Sequence, residues 1–480
     1  MNLLQNLYLA LPQIIILITA CLVLIFSLFR QLGTSNISYA TALLGLFLAF
    51  WVSVFYIDAK DEIILSGEFI SDSLGAVMNA GISASVFIVL MYSYNYILER
   101  QMPLTDILAL VLFSTLGMMV LVNAHSILTS YLGLELLSLP LYALTAVRRI
   151  EGDCSEAAMK YFVMGALASG MLLFGFSLLY GATGQLDFTA ISEVIAKSAN
   201  LDNSLITFAL VFIVAALGFK LALVPFHMWA PDVYQGAPLS VTLLLSSAPK
   251  IAGLVFMLRL LTSVLSLYSA KWQLILLVMT VISIGLGNLL AIVQTNIRRL
   301  LAYSAISHMG FAVFGVLVAN QAGYSASVYY MLVYVLMTLA AFGLLVLLSR
   351  NGVEIEEIDD LKGLAQRNPW AALMLMIVLF SLAGVPPTAG FFAKLAVLKV
   401  LIDANYITTA ILAVLFAVIG AYYYIRIVKV MYFDDPNEKS ALSFGNGVVK
   451  FIYSAHCLSL LYFGLFPAGL ISLCTNIWMS

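Results

Sequence analysis

The chain has 480 residues, of which 63% are hydrophobic and only 10% charged, and its formal net charge is -2. Soluble proteins carry about a quarter charged residues, so water is not the main solvent of this chain, and the near-neutral balance argues against nucleic acid as a partner. Cys21, Cys154, Cys457 and Cys474 are scattered without CxxC or Cys/His spacing, which argues against iron-sulfur and zinc sites. Neither a GxGxxG motif opening a helix after a strand nor a GxxxxGK phosphate loop occurs, so no nucleotide site is indicated.

Apolar runs long enough to span a bilayer, about 20 residues each, recur along the whole chain. In order they cover 9–29, 38–57, 73–97, 106–124, 126–147, 157–180, 205–225, 238–262, 273–293, 300–319, 325–349, 371–401, 406–432 and 447–474. Irregular backbone facing lipid would leave amides unpaired, so each run is expected to be helical, and no alternating ten-residue pattern suggests a barrel. The expected fold is an all-α integral membrane protein of about 14 transmembrane helices, forming a single polytopic membrane domain over 1–480. The first run is too long, and its flanks too poor in positive charge, for a cleavable signal peptide, so it is read as the first span.

Assigning the connections alternately to the two sides gathers Arg30, Arg100, Arg148, Arg149, Arg298, Arg299, Arg350, Lys362, Arg367, Arg426, Lys429, Lys439 and Lys450 on one side. Lys60, Lys197 and Lys271 fall on the other. The positive-inside rule makes the first side cytoplasmic and places both termini outside. One missed span would scramble this division, so the asymmetry supports an even span count. The connection at 350–370 carries Glu354, Glu356, Glu357, Asp359 and Asp360 and reads as a solvated, partly helical surface loop, with a docking surface as the alternative.

Six basic residues fall outside the connections: Lys160, Lys220, Lys250, Arg259, Lys394 and Lys399, and among the acids only Glu135 lies deep in a span. A charge at the bilayer centre costs roughly 2.5 to 3.5 kcal/mol even on the lenient insertion scale, so such groups face protein or water and are functional candidates by default. Arg259 and Lys399 lie near span ends, where snorkelling to the headgroups accounts for them. Lys160 lies in the first turn of its expected helix, where snorkelling and a place on a proton path are equally weighted.

Lys220 sits in LGFKLALVPFH, five residues before Pro225, and Lys394 in SLAGVPPTAGFFAKL, after Pro386 and Pro387. Proline removes an intrahelical hydrogen bond and frees carbonyls, so both lysines are expected beside helix breaks. Paired breaks in the two halves of a chain point to the ion path of a repeat-built transporter. Here they imply a five-helix repeat, spans 4–8 within 106–265 and spans 9–13 within 270–432. Three helices precede them in 1–105 and a C-terminal helix follows in 447–480. Ordinary kinked packing is the competing explanation for either break.

Burial disfavours the charged form of a lysine, and a nearby carboxylate restores it. Losing an opposite charge about 4 Å away at an effective dielectric near 20 costs roughly 4 kcal/mol, enough to decide whether such a lysine keeps its proton. Glu135 is the natural partner of Lys220, either as a switch or as a static ion pair. His227, just past the first break, and His308, inside a span, are further relay candidates, because histidine titrates near physiological pH; satisfied packing histidines are the equal alternative.

These stretches carry a resemblance. YLGLELLSLPLYAL around Glu135, GFKLALVPFHMWAPDVYQGAP around Lys220, SSAPKIAG around Lys250, QTNIRRLLAYSAISHMGF around His308 and SLAGVPPTAGFFAKL around Lys394 resemble the antiporter-like membrane subunits of respiratory complex I, the proton-pumping NADH:quinone oxidoreductase. Within that group the chain is most similar to the subunit N branch. Subunit M typically has glutamate where Lys394 stands, and subunit L is much longer.

The resemblance implies 14 helices in two inverted repeats and a polar axis that relays protons. Glu135 and Lys220 would be its modulating pair, Lys250 its central relay and Lys394 the residue nearest the periplasmic exit. It implies a bacterial inner-membrane location, and partners among the other membrane and peripheral subunits of complex I, other antiporter-like subunits included. No cofactor is expected in this chain; NADH, FMN, iron-sulfur clusters and quinone belong to the parent complex. Arg298 departs from the lysine expected there and is a poor proton carrier, because arginine stays protonated. Two rivals share these features: a subunit of a multisubunit sodium/proton antiporter, and a structural membrane scaffold whose buried charges only pair.

Overall fold

The computed structural model describes residues 3–28, 34–58, 61–197, 204–349, 354–436 and 447–478. Arg30, Lys60, Arg350 and Lys439 of the charge division lie outside the described residues. A short helix α1 (Leu3–Leu9) leads into α2 (Leu11–Leu28) and α3 (Thr34–Phe55); a small hairpin of β1 (Glu62–Ile64) and β2 (Phe69–Ser71) then precedes α4 (Ser73–Glu99). α5 (Leu104–Asn123), α6 (Ile127–Thr145), α7 (Gly152–Thr183), the short α8 (Phe188–Lys197), α9 (Ser204–Leu221), α10 (Trp229–Gly236), α11 (Leu239–Leu245) and α12 (Ala248–Leu258) form the next group. The chain continues through α13 (Ser269–Ile292), α14 (Ile297–Leu317), α15 (Gln321–Leu348), the short α16 (Leu364–Arg367), α17 (Pro369–Ala383), α18 (Ala389–Asp403), α19 (Ile407–Phe433), α20 (Gly447–Leu465) and α21 (Ala468–Asn476).

Among the described residues, 13 helical segments are long and apolar enough to cross a membrane, with Leu239–Val264 counted as one. The twelfth expected span, 371–401, is divided at its expected break into two helices of 15 residues each, α17 and α18. Neither alone matches the thickness of a bilayer core. Counted as one broken crossing, the pair brings the total to the expected 14. The small antiparallel hairpin, pairing Glu62 with Ser71 and Ile64 with Phe69, is the one addition to an otherwise helical fold among the described residues.

Local chemistry fixes the ends of these helices. Asp72, Ser126, Asn296 and Asn320 cap α4, α6, α14 and α15 by accepting from Gly75, Thr129, Arg299 and Gly323 backbone N–H groups, which satisfies donors that a helix start leaves orphaned. Asn368 caps α17 at Ala371 N–H with Pro369 at its first position, where the missing proline N–H costs nothing. Close helix contacts rely on small residues: a Cβ on Gly117 of α5 would lie 2.2 Å from the Leu137 nitrogen of α6.

Burial is uneven. The Leu239–Val264 segment is 100% buried and α14 94%, whereas α2, α3 and α19 bury only 33% of their apolar windows. The core therefore lies around α11, α12, α14 and α15, and the outer helices present apolar faces outward.

Three of the arginines that the alternation assigns to one side gather at one end of the bundle. Arg100, Arg148 and Arg298, from three separate connections, all reach the carboxylate of Glu354. At the other end, Arg259 corrects the snorkelling expectation: it is 7% exposed and holds Asp72 through two guanidinium nitrogens at 2.9 and 2.8 Å. A charge so buried is stable only with a partner. Lys399 is exposed, as expected of a snorkelling residue.

Candidate functional site

The first break forms where α9 stops at Leu221. Ala222 takes a left-handed conformation with φ 61°, and Pro225 follows a cis peptide bond. The end of α9 leaves carbonyls without helical donors, and three of them find others. Leu223 N–H donates to Gly218 O at 2.8 Å, Trp229 Nε1 to Phe219 O at 2.9 Å, and Lys250 Nζ to Lys220 O at 3.4 Å. Lys250 is 1% exposed and its ammonium lies 5.0 Å from the Trp229 ring, a cation–π seat in a desolvated site.

Lys220 turns away from the break. Its ammonium donates to Ser138 Oγ at 2.9 Å, beside a cavity of about 10 Å³ that Tyr142, Ser169 and Phe219 also line; that is about the room one water needs. Glu135 stands one turn before Ser138 on α6, yet its Oε1 is buried without a hydrogen-bond partner. Carboxylate and lysine are thus positioned on facing helices without being joined as an ion pair. His227, in the segment between α9 and α10, is buried with Nδ1 unpartnered.

The second break is built differently. α17 ends at Gly384, whose φ of 85° suits glycine, and the backbone N–H groups of Gly384 and Val385 return to Phe380 O. Lys394, on α18, reaches back to donate to Leu382 O at 3.1 Å and Ala383 O at 2.8 Å. A Cβ on Gly384 would lie 2.9 Å from Lys394 Cδ, so the glycine supplies both the turn and the room for the lysine. Pro386 and Pro387, joined by a cis bond, follow.

His308 of α14 sits between two phenols, Nδ1 2.7 Å from Tyr330 Oη and Nε2 3.1 Å from Tyr424 Oη, and Tyr424 also bonds Ser304. A cavity of about 10 Å³ lies between His308, Phe311, Asn288, Tyr424 and Lys394. The structure therefore brings Lys220 and Lys250 together around one break, and His308 and Lys394 around one cavity.

Lys160 lies in the third turn of α7, because that helix starts at Gly152 rather than 157. It is paired with Glu156 at 2.9 Å and Asp232 at 2.8 Å, and Asp232 also meets Arg299 at 2.6 Å. These groups line an open polar cavity of about 230 Å³ at the arginine-rich end. Asp232, Ser138, Trp229, Tyr330 and Tyr424 were not singled out from sequence. Asp232 had a signal, an acid in the same motif three residues after Trp229; the others are ordinary residues whose placement only the fold reveals.

The profile of the "NADH:quinone oxidoreductase/Mrp antiporter, TM" family matches residues 124–420. A relative from Nitrosomonas europaea, NADH-quinone oxidoreductase subunit N, is 46% identical over 97% of this chain and 96% of its own length. The Thiobacillus denitrificans protein of the same name is 45% identical over 97% and 96%. Among solved structures, a chain of respiratory complex I from Thermus thermophilus with bound aureothin superposes with a TM-score of 0.83 at 28% identity, covering 97% of this chain and 99% of that one. A chain of the Mrp complex from Dietzia shares the fold, with a TM-score of 0.86 at 20% identity over 99% and 97%. This chain belongs to the NADH:quinone oxidoreductase/Mrp antiporter membrane family and, within it, to the NADH-quinone oxidoreductase subunit N group.

Proposed function

We propose that this chain translocates protons as a membrane subunit of NADH:quinone oxidoreductase, through Glu135, Lys220, Lys250, His308 and Lys394, with His227 and Lys160 as further relay groups. The observation that carries the reading is the placement of ammonium groups at both helix breaks: Lys250 on Lys220 O and Lys394 on Leu382 O and Ala383 O. Peptide carbonyls at a half-helix end carry partial negative charge. They hold an ammonium inside the membrane without a carboxylate competing for its proton, and the small adjoining cavities have room for single waters.

Lys220 is the gate in this reading. With the ammonium on Ser138 and Glu135 Oε1 unpartnered, a small movement of either side chain makes or breaks their contact. The partners are the other membrane subunits and the peripheral subunits, which hold NADH, FMN, iron-sulfur clusters and quinone; this chain converts their redox energy electrostatically and conformationally. The arginine-rich end faces the cytoplasm of a bacterial inner membrane, with both termini periplasmic. The two inverted repeats, 106–265 and 270–432, each contain one of the breaks, and this arrangement supports the same reading.

The test is Lys220→Ala in the assembled complex in membrane vesicles, with NADH oxidation and proton uptake measured together and integrity checked on a blue-native gel. Intact assembly with coupled oxidation and uptake both lowered is expected. Wild-type values of both would overturn the relay and favour a structural role for the buried charges. The second reading, a subunit of a sodium/proton antiporter, draws on the likeness to the Mrp chain. Sodium-dependent proton exchange without NADH or quinone would favour it.

A further inference from the structure

The acidic connection after α15 does not lie wholly in solvent. Its Glu354 accepts a hydrogen bond from Tyr96 Oη at 2.6 Å and forms ion pairs with Arg298 at 2.8 Å, Arg148 at 3.5 Å and Arg100 at 3.8 Å. The Arg298 contact is electrostatic rather than an aligned hydrogen bond, since its Nη2 has no hydrogen-bond acceptor in line. Arg298 is 4% exposed, and its Nη1 donates to Gln235 O at 3.3 Å and Ala237 O at 3.5 Å. Tyr96 Oη in turn accepts from Leu239 N–H at 3.3 Å.

Those backbone groups belong to the turn between α10 and α11, where Pro238 supplies no N–H. Glu354 thus holds, through one arginine and one tyrosine, the exposed polar groups of that turn. α10 is only eight residues long, about 12 Å of rigid helix. At its far end Trp229 seats the Lys250 ammonium and donates to Phe219 O. A shift of the turn is therefore passed to the seat of the central lysine.

We propose that Glu354 is a positioning residue for proton transfer: by fixing Arg298 and Tyr96 it sets the α10–α11 turn, and with it the geometry of Lys250 on Trp229. The connection that carries it belongs to the second half of the chain, and the turn to the first, so Glu354 ties the two halves together at the arginine-rich end. The arginine at position 298 fits this role, because its planar, permanently charged fork spans a carboxylate and two carbonyls at once. The inference rests on the proton-translocating reading, but its first readout does not.

The experiment uses Glu354→Gln and Tyr96→Phe in the assembled complex. Amide hydrogen exchange is followed over residues 229–245 and over 384–403, alongside proton uptake per NADH oxidised. Expected are wild-type amounts of intact complex and exchange over 229–245 faster by about tenfold, the loss of one charge-assisted hydrogen bond. Exchange over 384–403 should be unchanged and proton uptake lowered by at least about half, a smaller loss than that full factor because the turn keeps its other contacts. If Glu354→Gln does not assemble, Tyr96→Phe, which removes a single hydroxyl, decides. Unchanged exchange over 229–245 overturns the proposal, as does faster exchange with wild-type proton uptake or a uniform rise along the whole chain. Wild-type oxidation and proton uptake in Lys220→Ala, while 229–245 still loosens in Glu354→Gln, would overturn the relay rather than the link.

Discussion

The two helix breaks solve one problem in different ways. At the second, a single hairpin is self-sufficient: Lys394 leaves α18 and covers both free carbonyls at the end of α17, with Gly384 making room. At the first, the work is divided among Trp229, Lys250 and a backbone N–H, while Lys220 points to Ser138 and Glu135 stays unpartnered. The first break is also held from outside, through Arg298 and Tyr96. A site whose charge and acceptors share one hairpin is closed; one assembled from several helices can be rearranged. The difference assigns switching to the first break and steady occupancy to the second.

The sharpest way to break this comparison is to spoil the self-sufficient hairpin. Gly384→Ala places a Cβ at φ 85° against Lys394, costs about 1 to 2 kcal/mol in backbone strain alone, and pushes the ammonium off its carbonyls. Coupled proton uptake in vesicles should fall about tenfold, since charge-assisted bonds are lost, with exchange raised over 384–403 and not over 229–245.

Acid separates the breaks in the opposite sense. Burial by itself raises the Glu354 carboxyl, but Arg298 first, then the Tyr96 hydroxyl, Arg100 and Arg148, outweigh it and hold the carboxyl below the ordinary carboxylate value. A depressed carboxylate contributes stability that is fully present above its unfolded value and is lost as pH falls through its folded value. Other acids beside these arginines are Glu151, paired with Arg148, and Glu356, near Arg298. Protection over 229–245, meaning exchange corrected for its intrinsic dependence on pH, should therefore stay constant from neutral pH to the ordinary carboxylate range and fall only below it, whereas protection over 384–403 stays flat. Glu354→Gln should abolish the step.

The smallest effect belongs to Ala222, a non-glycine residue already at φ 61°. Ala222→Gly relieves strain but adds freedom to the unfolded chain, so thermal unfolding should show a gain of about 0.5 to 1 kcal/mol with proton uptake unchanged.

Much of this was legible in the sequence, because it is local. Apolar runs gave the crossings, and a lysine near proline inside such a run marked each break. Glu135 stood out as the lone acid deep in a span. The pairings that hold the ends were not legible. Arg259 and Asp72 are 187 residues apart, and Tyr96 and Glu354 258 apart, so nothing nearby in sequence distinguishes a snorkelling arginine from a buried one. The acid-rich 350–370 stretch reads as solvated for the same reason: five acids within the seven residues 354–360 suggest water, while the three arginines that draw in Glu354 come from distant connections. The Lys220 contact with Ser138 rather than Glu135 depends on a one-turn difference along α6, finer than periodicity resolves.

A carboxylate that holds a cation can be silenced by acid; a peptide carbonyl cannot. Lys394 rests on two carbonyl oxygens at the blunt end of α17, so its holder has no proton to gain and keeps its strength at every pH the membrane meets. That grip loosens when Lys394 gives up its own proton or when one half-helix moves against the other. The holder at the second break therefore acts mechanically rather than chemically, and it answers to displacement arriving from neighbouring helices.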